Sequence, residues 1–198
     1  EYPMIYRIHD IPTDKKLKEY ILLLKSLGHN IKIKGKLKEI KPKQMQEILD
    51  SLKDSPDYEF LSELGLRAMQ KAIYSEENRG HFGLASKCYT HFTSPIRRYP
   101  DLTVHRVLKS ILSGKSLSFD ELKELKTELT SQAMHSSIKE RNADKCENEV
   151  NDMKIAEYMQ MHIGEVFEGK IAAITSSSMF VRLPNLIEGR IAYNSIPG

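Results

Sequence analysis

The residues best suited to chemistry fall in one stretch, GHFGLASKCYTHFTSPIRRYPDLTVHR, residues 80–106. Ser94-Pro95 has the form of an N-cap followed by proline at the first helical position, which places Arg97 and Arg98 in the opening turn. A helix N-terminus offers free backbone N–H groups and the positive end of the helix dipole, and so favours an anion. A guanidinium there grips a phosphate through two parallel hydrogen bonds and stays charged at any working pH. Adjacent arginines project in different directions, so one of the two is expected to face a ligand. The competing expectation is a pair of surface ion-pair arginines.

Other reactive side chains carry less. Seven histidines show no zinc-ligand spacing, and His81 and His91 are expected to hold their loop by hydrogen bonds. Asp101 and His105 stand one helical turn apart and can pair, in a capping and packing role. Cys88 and Cys146 have no nucleophile–base partner and are expected to be buried thiols. Between Gly28 and Lys43 there are six lysines and one glutamate, which read as a solvated edge, with an RNA track as the alternative.

Several elements must position these groups. Asp14 can cap a helix that runs to about Leu27, with Gly28 as the stop, and Leu17, Tyr20, Ile21, Leu24 and Leu27 give it a helical stripe. Ile31-Lys32-Ile33-Lys34 alternates as a strand does. Pro42 can open a helix, and Asp57 another, with Leu61, Leu64, Ala68, Ala72 and Ile73 inward. Residues 81–93 read as a strand or extended loop. Pro100 interrupts, and a helix then runs to Ser113. Ser118 and Glu121 form a capping box before further helix as far as Gly164, with a break near Thr130-Ser131. On that helix Met134, Ile138, Cys146, Val150 and Met153 are expected to pack in a core. Beyond Gly164, residues 166–174, 178–183 and 187–193 are short β-prone runs, a second domain. Three strands do not close a barrel, so the chain is expected to be truncated.

The chain has 198 residues and a net charge of +3 from 30 basic and 27 acidic side chains. A balance this even gives little overall attraction to nucleic acid; the distribution of charge matters more. With 40% hydrophobic residues it is no disordered chain. It has no run of eighteen apolar residues to suggest a membrane span, and two cysteines make no disulfide framework. Low cysteine usage suits a cytoplasmic location.

The segment resembles the signature of the ribonuclease II and ribonuclease R family of exoribonucleases, in which HFGL, TSPIRRYPDL and VHR recur in this order. YPMIYRIHDIP (residues 2–12) and LGLRAMQKAIYS (residues 64–75) agree with that family, and RRYPD with YTHFTSP is closer to its ribonuclease R branch. The resemblance implies an α+β fold, with residues 1–163 as the mainly helical C-terminal half of an RNB-type catalytic domain. It implies processive 3′-to-5′ hydrolysis of single-stranded RNA to nucleoside 5′-monophosphates. The family's catalytic arginine falls on Arg97, with Arg98 beside it as an RNA-binding residue, and its late glutamate falls best on Glu147 in KCENEVNDM. Magnesium is held in the family by closely spaced aspartates. This sequence has neither Asp-Asp nor Asp-x-Asp, so Mg2+ is expected on residues upstream of Glu1, and the fragment is expected to be inactive alone.

Residues 164–198 resemble the first half of an S-one-type OB-fold RNA-binding domain, an incomplete β-barrel. Phe167 and Phe180 then fall where that family places aromatics for base stacking; the competing expectation is that they fill the small core. The family often has a histidine where this chain has Ala192. The implied partner is the 3′ end of single-stranded RNA, with no membrane and no DNA. A noncatalytic RNA-binding module and a purely helical interaction scaffold are the alternatives.

Overall fold

Leu17, Tyr20, Ile21 and Leu24 form the buried face of helix α1 (Asp14–Ser26) in the computed structural model, which describes residues 2–33, 35–114 and 116–196. The helix starts after Thr13, so Asp14, expected to cap it, is instead its first residue and places a carboxylate at the positive end of the dipole; the chain leaves through Gly28, whose φ of 87° is left-handed. Helix α2 (Pro42–Asp50) starts on its proline, and α3 (Tyr58–Ala68) follows Asp57. These helices share one core with Ile31, Ile40, Leu52 and Phe82. Where α1 meets α3, a Cβ on Gly65 would lie 2.8 Å from the Tyr20 hydroxyl. That hydroxyl donates to the Leu61 carbonyl at 3.0 Å, and burial pushes its pKa up to about 12.

Two expectations fail here. Ile31 is buried and Ile33 half-buried, so the alternation is real, yet residues 29–33 pair with no strand; Lys34 lies outside the described residues. The α3 helix also ends before Ala72 and Ile73. Ile73–Ser75 is instead strand β2, antiparallel to β1 (Tyr6–Ile8), with Arg7 opposite Tyr74. A partner some 65 residues upstream draws this β-prone tripeptide out of the helix, which local periodicity does not register.

Helix α4 (Tyr99–Leu112) is followed by α5 (Phe119–Gln160). The reciprocal bonds of Ser118 and Glu121, 2.8 and 3.2 Å, open α5 as a capping box. No break occurs at Thr130-Ser131. The helix contains no glycine or proline, and the hydroxyls of Thr127, Thr130 and Ser137 return to carbonyls four residues back. Its buried stripe is Leu129, Ala133 and Ser137, the first two packed with Ile5 and Tyr74. Met134, Ile138, Cys146, Val150 and Met153 are exposed, against expectation. The buried residues form one narrow row, Leu129, Ala133 and Ser137, and the methionines lie off it.

The chain divides into two compact units, Glu1–Arg141 and Asn142–Gly198. The second holds an antiparallel meander of β3 (Lys170–Ile174), β4 (Ser178–Arg182) and β5 (Glu188–Ala192), in that order. It is an open sheet and not a closed barrel. The register places Ile171, Ile174, Met179, Val181 and Ile191 on one face. Lys170, Phe180, Arg182, Glu188 and Arg190 lie on the other. The chain is thus a mixed helix-and-sheet protein.

Candidate active site

Ser94 to Arg98 form a tight turn, not the first turn of a helix. The Ser94 carbonyl accepts the N–H groups of Arg97 and Arg98 at 3.2 and 3.0 Å. Arg98 is the extended N-cap of α4 (φ −123°), and Pro100, expected to interrupt, lies in that helix's first turn. There proline gives up no hydrogen bond, because the first N–H groups of a helix have no intrahelical partner.

Asp101 is fully buried in the same turn of α4. Its Oδ2 accepts from the Ser94 N–H at 2.8 Å, from Arg98 Nε at 3.2 Å and from Arg98 Nη2 at 2.8 Å. One carboxylate therefore clasps the turn at both ends. The Asp101–His105 pair that the spacing permits does not form. His105 stacks on Phe92, with centroids 4.2 Å apart, and its Nε2 lies 2.8 Å from the Phe92 carbonyl.

The two arginines diverge as anticipated. Arg98 is turned onto Asp101. Arg97 is exposed beside Ile96, which is 98% exposed, and its guanidinium has no hydrogen bond or ion pair among the described residues.

Behind the turn runs a framework assembled from distant segments. Arg7 sits 4.6 Å over the Tyr74 ring and pairs with Glu140 at 2.6 Å. The Tyr74 hydroxyl lies 2.9 Å from His91 Nδ1, and the Tyr74 N–H donates to Ser137 Oγ at 2.9 Å. From His91 an edge-to-face series runs through Tyr89, His81 and His9 to Phe82, with centroids 5.8, 5.3, 5.1 and 6.1 Å apart. Burial lowers the pKa of His9, His81 and His91 below the ordinary 6.5. Gly83 donates its N–H to His9 Nδ1 at 3.1 Å, and a Cβ there would lie 2.8 Å from that nitrogen. The HFGL glycine is thus a close-approach residue. His81, whose Nδ1 accepts from the Leu84 N–H, and His91 both serve as loop-holding rings. Arg7, Tyr74, Ser137 and Glu140 escaped sequence reasoning because they are far apart in the chain and match no motif; the YPMIYRIHDIP and LGLRAMQKAIYS resemblances were the signal nearest to them.

Glu147, Phe167 and Phe180 lie in the second unit. Glu147 is exposed on α5. Phe167 is 42% exposed, its ring 6.2 Å from that of His162. Phe180 is half-buried on central strand β4, on the face that carries Lys170, Arg182 and Arg190. Cys88 and Cys146 are exposed, correcting the expectation of buried thiols. The lysines at 32, 36, 38, 41 and 43 are exposed, Lys38 lying 3.7 Å from Asp14. Among the described residues no group of three or more His, Cys, Asp or Glu side chains could hold a metal ion. No described helix is long and apolar enough to cross a membrane.

Residues 1–114 match the RNB domain family. Ribonuclease R 1 of Lactococcus lactis is 44% identical over 196 residues, 99% of this chain and 24% of that protein. Ribonuclease R of Mycoplasma genitalium, solved in complex with ribose-methylated single-stranded RNA, superposes with a TM-score of 0.90 at 36% identity. That match covers 100% of this chain and 31% of the other. Its complex with double-stranded RNA gives 0.84, over 96% of this chain and 34% of the other. The chain spans about a quarter to a third of the length of these relatives.

Proposed function

Because the chain belongs to the RNB domain family, we propose that it is the C-terminal part of a ribonuclease R-like enzyme. That enzyme hydrolyses single-stranded RNA processively from the 3′ end, releasing nucleoside 5′-monophosphates. The observation that carries the reading is Arg97, an exposed guanidinium with no protein partner among the described residues, on a turn clasped from behind. Its role is to stabilise charge developing on the oxygens of the scissile phosphate. The proposed companions are Arg98 at the RNA backbone, Glu147 at the terminal nucleotide, and Phe167 and Phe180 as stacking rings for the incoming strand. Supporting the last is the face around Phe180, where Lys170 and Arg190 lie beside an Arg182–Glu188 ion pair, since an aromatic with cations near it suits single strands whatever their sequence.

The described residues do not fit a magnesium site. No group of three or more His, Cys, Asp or Glu side chains stands together among them, and Asp101, the buried carboxylate of the signature, has one oxygen taken up by three donors. Magnesium is therefore proposed on residues outside this chain, the isolated chain is proposed to bind RNA without cutting it, and a cytoplasmic setting goes with the reading.

The test replaces the matching segment of Lactococcus ribonuclease R 1 with this chain and supplies magnesium and a labelled single strand. Monophosphate release is expected from the chimera and only binding from the chain alone. In the chimera, Arg97→Ala should lower kcat roughly 10²–10³-fold, as loss of one donor to a developing oxyanion does, and change RNA affinity far less. A rate within threefold of the parent chimera's would remove Arg97 from the reaction. If the chain alone releases monophosphate, the inactivity proposal is wrong.

A further inference from the structure

We infer that Asp101 is the positioning residue for Arg97: its buried carboxylate locks the Ser94–Arg98 turn so that the Arg97 guanidinium meets the phosphate in one orientation. The inference rests on the Arg97 reading above and extends it to a residue that touches no substrate.

The geometry is specific. Arg97 lies between the two attachment points of one oxygen, the Ser94 N–H at 2.8 Å and the Arg98 guanidinium at 2.8 and 3.2 Å. The Ser94 carbonyl closes the same turn from within by accepting from Arg97 and Arg98. Every hydrogen bond the Asp101 side chain makes goes to this turn, since Oδ1 is buried without a partner. The carboxylate is 0% exposed while Arg97, four residues earlier, is exposed. A buried charge pair contributes little net stability, because desolvation offsets the attraction. What it supplies here is direction. Arg98 bonded to Asp101 is fixed at the end of the turn, and the turn cannot relax around Arg97. Misplacing a catalytic group by about 1 Å costs on the order of 10²-fold in rate, so a residue that holds the turn acts on kcat through Arg97.

The rival roles for Asp101 do not fit the same atoms. A metal site would need further carboxylate, histidine or cysteine side chains grouped with it, and no such group of three or more stands among the described residues, and a dyad with His105 would need that ring turned away from Phe92.

The experiment uses the ribonuclease R chimera, with single-turnover rates on a labelled single strand and RNA affinity measured without magnesium. Asp101→Asn keeps volume and an acceptor for the Ser94 N–H while removing the charge that holds Arg98. We expect kcat to fall about 30- to 100-fold, with affinity changed less than about threefold. In an Arg97→Ala background the same substitution should change kcat by less than about threefold, because two residues acting as one unit are non-additive. Equal losses in both backgrounds would mean that Asp101 serves the fold alone, and would overturn the inference. An unchanged rate with Asp101→Asn while Arg97→Ala is slow overturns it and leaves Arg97 in place. A full rate with Arg97→Ala removes the Arg97 reading and this inference with it. If Asp101→Asn does not fold, Asp101→Glu keeps the charge and displaces it by one methylene, and the same two-background comparison decides.

Discussion

Replacing Ser137 with alanine should destabilise the first unit although serine is the poorer helix former. Ser137 lies mid-helix in α5, is 4% exposed, and its Oγ both accepts from the Tyr74 N–H and donates to the Ala133 carbonyl, each at 2.9 Å. Alanine leaves the Ala133 carbonyl its ordinary helical partner but strands the Tyr74 N–H in a buried place. An unsatisfied buried donor costs about 1–3 kcal/mol. The better helix propensity of alanine returns roughly half a kcal/mol. The net is about 0.5–2.5 kcal/mol of lost stability. Thr130→Ala supplies the control. It removes an exposed hydroxyl bonded to the Lys126 carbonyl at 2.9 Å in the same helix, and should be neutral or stabilising by up to about 0.7 kcal/mol. Guanidinium denaturation followed by circular dichroism ranks the two variants, and amide exchange should show the Tyr74 N–H losing protection only in Ser137→Ala. If Ser137→Ala proved as stable as Thr130→Ala, the bond from β2 to α5 would not hold the framework behind the turn.

The remaining expectations concern the histidine and tyrosine framework. Gly83→Ala places a methyl 2.8 Å from His9 Nδ1 and should destabilise by about 1–3 kcal/mol through overpacking; in a His9→Ala background that cost should vanish in a melting experiment, and its persistence would place the strain elsewhere. His9, His81 and His91 have folded pKa values below 6.5 because burial disfavours imidazolium. Below 6.5 the unfolded chain therefore binds more protons, and stability falls with acidification until the lowered folded values are passed. The denaturation midpoint should be lower at about pH 5.5 than at about pH 7.5, above the range where carboxylates titrate, and equal midpoints would refute the burial account.

How much was legible divides along a physical line. The short-range signals in α1, α2 and the Ser118–Glu121 box read correctly, because helix stripes, N-terminal proline and capping are decided within a few residues. The Arg97 pair stood out because two guanidinia beside a proline turn are a local pattern. The Ile31–Lys34 alternation misled, since a strand needs a partner that sequence spacing cannot supply. The Met134–Met153 row misled too, since a long helix offers several possible stripes and only its neighbours choose among them.

By itself the sequence determined the local frame: the stripes of α1 and α2, the proline start of α2, the Ser118–Glu121 capping box, the three β-prone runs after Gly164, and the adjacency of Arg97 and Arg98 after a proline. Only the tertiary structure decided which arginine stays free, because that depends on where a carboxylate three residues further on is buried. It also decided that Arg7, Tyr74, His91, Ser137 and Glu140 stand together, since contacts closed across 17 to 133 residues are set by packing and by the demand that buried polar groups find partners.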